Sequence, residues 1–119
     1  MSCLFDSLSY FIGESSEKVR QKICDYLESN LPVVSGMETC SVLEFESKTA
    51  SNYITGMRSA SNWGGAIEIQ AACNIWSMAV NVRNDRDNNA KIIEFIPINS
   101  TRDKTINIYW SGGHYEPIR

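Results

Sequence analysis

The residues best suited to nucleophilic chemistry stand at opposite ends of this chain. Cysteine occurs at Cys3, Cys24, Cys40 and Cys73, and histidine only at His114. A cysteine attacks a carbonyl as its thiolate. The start of a helix favours that anion, because unpaired backbone N–H groups and the helix dipole stabilise negative charge there. Cys3 falls where the first expected helix begins. Its attack also needs a base that takes the thiol proton and returns it to the leaving amine. His114 is the one imidazole that can serve, and it follows Gly112-Gly113, where a chain leaving a strand can turn and project a ring. Residue type alone makes Cys3 and His114 a candidate pair. A small buried thiol and a structural or exposed histidine are the competing readings.

Other chemistries have less to build on. No C-x-x-C pair occurs, and a single histidine with widely spaced thiols is a poor zinc set, so no metal and no cofactor is expected. Cys24, Cys40 and Cys73 read as inert thiols, with Cys24 and Cys73 on expected helices. The formal net charge is -3, without the basic footprint of a nucleic-acid binder. No run approaches 18 apolar residues, which argues against a membrane span, and the first residues lack the pattern of a signal peptide. We therefore expect a reduced, cytoplasmic protein with free thiols, acting as a monomer. The length of 119 residues fits a single domain over residues 1–119, with 43% hydrophobic residues to form its core.

The elements that must position the pair can be read from periodicity. Leu4, Leu8, Phe11 and Ile12 predict a helix over residues 3–12, stopped by Gly13. Ser15 or Ser16 starts a second helix to about residue 29, with Val19, Ile23, Tyr26 and Leu27 as its buried stripe. Residues 31–48 read as loop, with a short strand or turn over 41–45. A short helix follows from Thr49 or Ser51, carrying Tyr53, Ile54 and Met57. Beyond Trp63-Gly64-Gly65 another helix covers about 66–74, rich in good helix formers. Alternation then predicts strands over 76–83, 91–98 and 105–110, separated by polar turns. Helices first and a largely antiparallel meander last define an α+β protein, with N-terminal helices packed on a small C-terminal sheet.

Three motifs stand in order along the chain: Ser2-Cys3-Leu4-Phe5, then Tyr53 to Met57 followed by Trp63-Gly64-Gly65-Ala66-Ile67-Glu68-Ile69-Gln70-Ala71, then His114-Tyr115 after a strand. Together they resemble the ovarian-tumour (OTU) family of cysteine deubiquitinases, a papain-like fold. The first is similar to the second half of the family's Asp-Gly-x-Cys-Leu-Phe segment, the second to its central motif and the third to its histidine dipeptide. The resemblance implies a thiol hydrolase that cleaves isopeptide or peptide bonds after the C-terminal glycine of ubiquitin or a ubiquitin-like modifier. Cys3 is then the nucleophile and His114 the general base. Glu116 stands where the family places the residue that orients the imidazole, with Asn107 as a substitute. The Asp-Gly before the family's cysteine has no counterpart here, which leaves the Ser2 amide as an expected oxyanion donor. Trp63 reads as packing, and Trp63, Gly64 and Gly65 together as the wall of a channel for a Gly-Gly tail. Glu44, Glu46 and Glu68 are candidates to meet the tail's arginines. Two further readings stay open: an OTU-like module that binds ubiquitin with weak catalysis, and a small interaction domain unrelated to ubiquitin.

Overall fold

Helix α1 spans Cys3–Ile12, the range its apolar spacing predicts. Leu4, Phe5 and Leu8 are fully buried, each contributing about 1.5–3 kcal/mol through apolar surface removed from water. Gly13 ends α1 with φ of 86° and returns its N–H to the Ser9 carbonyl at 2.9 Å. A side chain is strained in that left-handed conformation, so glycine suits the position. The Ser15 side chain then accepts from the Lys18 N–H and caps α2, Ser16–Glu28. Its buried face carries Val19, Ile23, Cys24 and Leu27, and also Arg20. The structure is a computed structural model that describes residues 3–34, 37–45, 49–59, 64–84, 91–98, 102–111 and 114–118.

Strands β1 (Pro32–Val34) and β2 (Met37–Glu38) form a small antiparallel ribbon. The stretch expected as a strand or turn is instead helix α3, Thr39–Phe45. Its initiation is not local. Asn30 adopts φ of 55°, and its Oδ1 accepts the Cys40 N–H at 2.7 Å. Thr39 donates both its N–H and its hydroxyl to the Leu31 carbonyl. Helix α4 covers Ala50–Met57 and α5 covers Ala66–Trp76. Trp76, expected in a strand, is the last residue of α5, because Ser77 in the left-handed region (φ 52°) ends the helix one residue later.

The main sheet holds β3 (Met78–Asn84), β4 (Lys91–Phe95), β5 (Lys104–Trp110) and β6 (Tyr115–Pro117), in the order β4-β3-β5-β6. Two pairings are antiparallel, but β3 and β5 run parallel, so the strands are not a simple meander. Burial explains the order. Met78, Ala79, Val80 and Val82 bury residues on both faces of β3, which suits a central strand. The second strand also ends earlier than alternation suggests. Pro97 has no N–H to pair, the Ile96 carbonyl accepts from Gln70, and the Ile98 N–H goes to Asn74. Helix α5 packs on β3, and α1 packs against α2 and β6. The last of these contacts joins the two ends of the described chain.

Candidate active site

Cys3 is the first residue of α1, where backbone N–H groups lack intrahelical acceptors and the dipole favours an anion. It is partly exposed, and no disulfide forms among the four cysteines. His114 lies immediately before β6. Its carbonyl accepts the Ser111 N–H at 3.0 Å, and Tyr115 pairs with Trp110 across β5. The Ile118 N–H donates to the Asn107 carbonyl at 2.9 Å and closes the far end of the strand. The histidine is thus carried by a strand fixed at both ends.

Packing of α1 on β6 brings Cys3 and His114 to one open cleft of about 400 Å³, which Asp6, Ser7, Tyr10 and Glu116 also line. Residues 114 and 116 project to one side of the strand, since side chains two apart share a face. The His114 Nε2 stands 3.1 Å from Glu116 Oε1. A carboxylate at Nε2 favours the tautomer that places the proton there. Nδ1 is then the nitrogen with a lone pair to accept a thiol proton. Both side chains are exposed, so solvent weakens this pair. Asn107, the substitute for Glu116, is engaged elsewhere: its Oδ1 accepts from Asn81 Nδ2 at 3.2 Å across β3 and β5. Tyr115 borders the same cleft. Burial raises its phenol above the ordinary value, and the neighbouring Cys3 adds to the effect.

The other expected positions divide. Ser2 and Trp63 lie outside the described residues, as do Glu46 and the Glu44 side chain. A Cβ on Gly64 would stand 2.6 Å from Leu4 Cδ2 and 3.0 Å from Phe5 Cζ, so its smallness serves the fit of this turn against α1. Gly65 has room: a Cβ there would meet only Glu68 Oε1, at 3.9 Å. Glu68 is fully buried, with Oε1 accepting the Gly65 N–H at 2.7 Å and Oε2 the Tyr53 hydroxyl at 2.6 Å, which removes it from any exposed channel. Among the described residues, the carboxylates at the cleft are Asp6 and Glu116. Asp6 was legible in principle. Cys3, Asp6, Ser7 and Tyr10 follow i, i+3, i+4 and i+7, which is one helix face.

The remaining thiols differ from one another. Cys24 and Cys73 are buried, and desolvation pushes them up to about 11 and about 12 respectively, so they stay neutral and unreactive at physiological pH. Cys40, expected to be equally inert, is exposed. No group of His, Cys, Asp and Glu among the described residues is arranged to hold a metal ion. A thiol, an imidazole and a carboxylate in one cleft can perform acyl transfer through a thioester.

Known structures share this fold. The chain covers 98% of itself and 62% of an ovarian tumor (OTU) domain solved in complex with ubiquitin, at 26% identity and a TM-score of 0.76. It therefore spans less than two thirds of that domain. An OTU deubiquitinase from Wolbachia pipientis wMel, bound to ubiquitin, matches at 23% identity and a TM-score of 0.70, over 99% of this chain and 89% of that one. The viral OTU domain protease from Dera Ghazi Khan virus matches at 21% identity and a TM-score of 0.70, over 98% and 72%. These last two are likenesses of fold. No curated protein matches the sequence. The family model for the OTU-like cysteine protease matches residues 2–115, so the cleft between α1 and β6 is carried by a chain that belongs to the OTU-like cysteine protease family.

Proposed function

We propose that the chain is a thiol-dependent deubiquitinase, with Cys3 as nucleophile, His114 as general base and then acid, and Glu116 orienting the imidazole. The observation that carries this reading is the shared cleft: Cys3 at the start of α1 and the His114–Glu116 pair beside β6 line one opening. Relatives of the same fold solved with ubiquitin support the substrate class.

In this reading His114 Nδ1 takes the Cys3 proton and Sγ adds to the carbonyl of the terminal glycine. The oxyanion is held by backbone N–H groups at the start of α1, with the Ser2 amide as the proposed additional donor. Collapse breaks the C–N bond, and His114 gives its proton to the departing lysine amine. Water, deprotonated by the same imidazole, then hydrolyses the thioester and restores the thiol. Gly65, where a Cβ would meet only Glu68 Oε1 at 3.9 Å, is the better of the two glycines to admit a narrow Gly-Gly tail. A nucleophile that must remain a thiol suits a reducing compartment such as the cytoplasm.

A ubiquitin probe with a C-terminal electrophile tests the proposal. Cys3 is expected to be labelled, with Cys3→Ala abolishing the label and His114→Ala slowing it by about 10²-fold or more. Binding of ubiquitin without labelling would leave a binding module in place of an enzyme. Neither binding nor labelling would remove ubiquitin from the account.

A further inference from the structure

A carboxylate taken wholly out of water is costly unless its oxygens find donors. Glu68 is such a group, with 0% exposure. It stands at the third position of α5 and reaches back to the Gly65 N–H at 2.7 Å, as a glutamate does in a capping box. Its other oxygen accepts the Tyr53 hydroxyl at 2.6 Å, which ties the turn to α4. The turn held in this way is the one whose Gly64 fits against Leu4 and Phe5, the two residues after Cys3. Those side chains leave no slack, since Leu4 is 1% and Phe5 0% exposed. Glu68 also acts on the other side of the site, because its charge is among the influences that raise the Tyr115 phenol, after burial and Cys3.

We propose that Glu68 is a positioning residue of the thiol site: by fixing Gly65 and Tyr53 it sets the two-glycine turn against α1, and so sets Cys3 relative to His114. The proposal rests on the reading of Cys3 and His114 as the reacting pair. It gives a buried acid outside the reacting trio a role in the rate. Misplacing a reacting group by about 1 Å from a distance can cost about 10²-fold.

The test combines two readouts on the full chain. In the first, kcat and KM are measured on a ubiquitin–lysine conjugate. Glu68→Ala is expected to lower kcat about 10-fold or more while KM stays within about 2-fold. Glu68→Gln should recover most of the loss. Its amide oxygen still accepts the Gly65 N–H, and its NH₂ donates to the Tyr53 oxygen. In the second, alkylation of Cys3 by iodoacetamide is followed residue by residue and normalised to the exposed Cys40 of the same molecule. The Cys3/Cys40 ratio should fall in Glu68→Ala and return in Glu68→Gln. This ratio needs no ubiquitin, so a wild-type chain that cleaves no conjugate would overturn the deubiquitinase reading and still leave the role of Glu68 decided by the ratio. Leu27→Ala, in the core of α2, serves as a control of comparable thermal destabilisation. The proposal is overturned if the ratio in Glu68→Ala stays at the wild-type value, or if Leu27→Ala lowers it equally. Should Glu68→Ala not fold, Tyr53→Phe decides, because it removes the hydroxyl that donates to Glu68 Oε2: a reduced ratio supports the role and an unchanged one ends it.

Discussion

Glu116 is two residues from His114 and shares its side of the strand, so the carboxylate is supplied locally. The pair is nonetheless exposed, and water competes for both partners. An orienting carboxylate in a buried triad has a far larger effect than one in solvent. We expect Glu116→Ala to lower kcat about 10-fold with KM little changed, and Glu116→Gln, which keeps an acceptor oxygen, to lower it less. Steady-state kinetics on a ubiquitin conjugate checks this, and equal losses in both variants would favour charge over orientation. Much of the site was legible at this scale. One histidine and a cysteine at an expected helix start left few pairs to consider, and Glu116 follows from the resemblance, as the position two residues after His114. The fate of Glu68 was less accessible. Whether a glutamate at that helix position ends up buried or faces outward depends on Tyr53, which only the tertiary fold brings to it.

The same contrast runs through the elements. Helices α1 and α2 match their expected bounds closely because Gly13 and Ser15 are local signals that need no distant partner. Helix α3 was missed because its cap comes from Asn30, in a left-handed turn after α2. The position of β5 beside β3 was hidden because alternation reports which face is buried and is silent about neighbours. Helix packing yields a prediction of its own. Arg20 is 1% exposed, donates to the Met57 carbonyl at 2.7 Å, and stacks 4.1 Å over the Phe5 ring, so one side chain from α2 holds both α4 and α1. Arg58, by contrast, pairs at the surface with Asp25 and Glu28. Urea unfolding should show Arg20→Ala to be destabilised by about 2–4 kcal/mol, through lost packing and an orphaned carbonyl. Arg58→Ala should cost less than about 1 kcal/mol. Comparable costs would mean that the buried guanidinium is not what joins the three helices.

For the whole molecule, the buried thiols set an alkaline limit. Cys24 and Cys73 ionise near 9 when exposed, and near 11 and 12 respectively in the fold. Between pH 9 and 11 the unfolded chain has lost protons that the folded chain keeps. The unfolded state then binds fewer protons, so stability falls as pH rises, by up to about 1.4 kcal/mol per pH unit for each thiol. Below pH 9 both states are protonated and these thiols contribute no slope. Denaturant unfolding of wild type against a Cys24→Ala/Cys73→Ala variant isolates the effect. The variant is expected to start less stable and to decline less steeply above pH 9, and parallel curves would contradict the assignment.

The packing of α1 on β6 has a kinetic meaning as well. Cys3 and His114 come to line one cleft only when a helix from the beginning of the chain and a three-residue strand from near its end have docked. Contacts of such long sequence separation are slow to close, because loop entropy is lost before they form. A partly folded chain can hold every helix and the β3–β4 hairpin and still be inert. The cleft shared by Cys3 and His114 is therefore a late product of folding. In a refolding experiment, labelling of Cys3 by the ubiquitin probe should rise with the slowest structural phase and lag the recovery of helical signal. Labelling that tracks the helices would mean that β6 docks early.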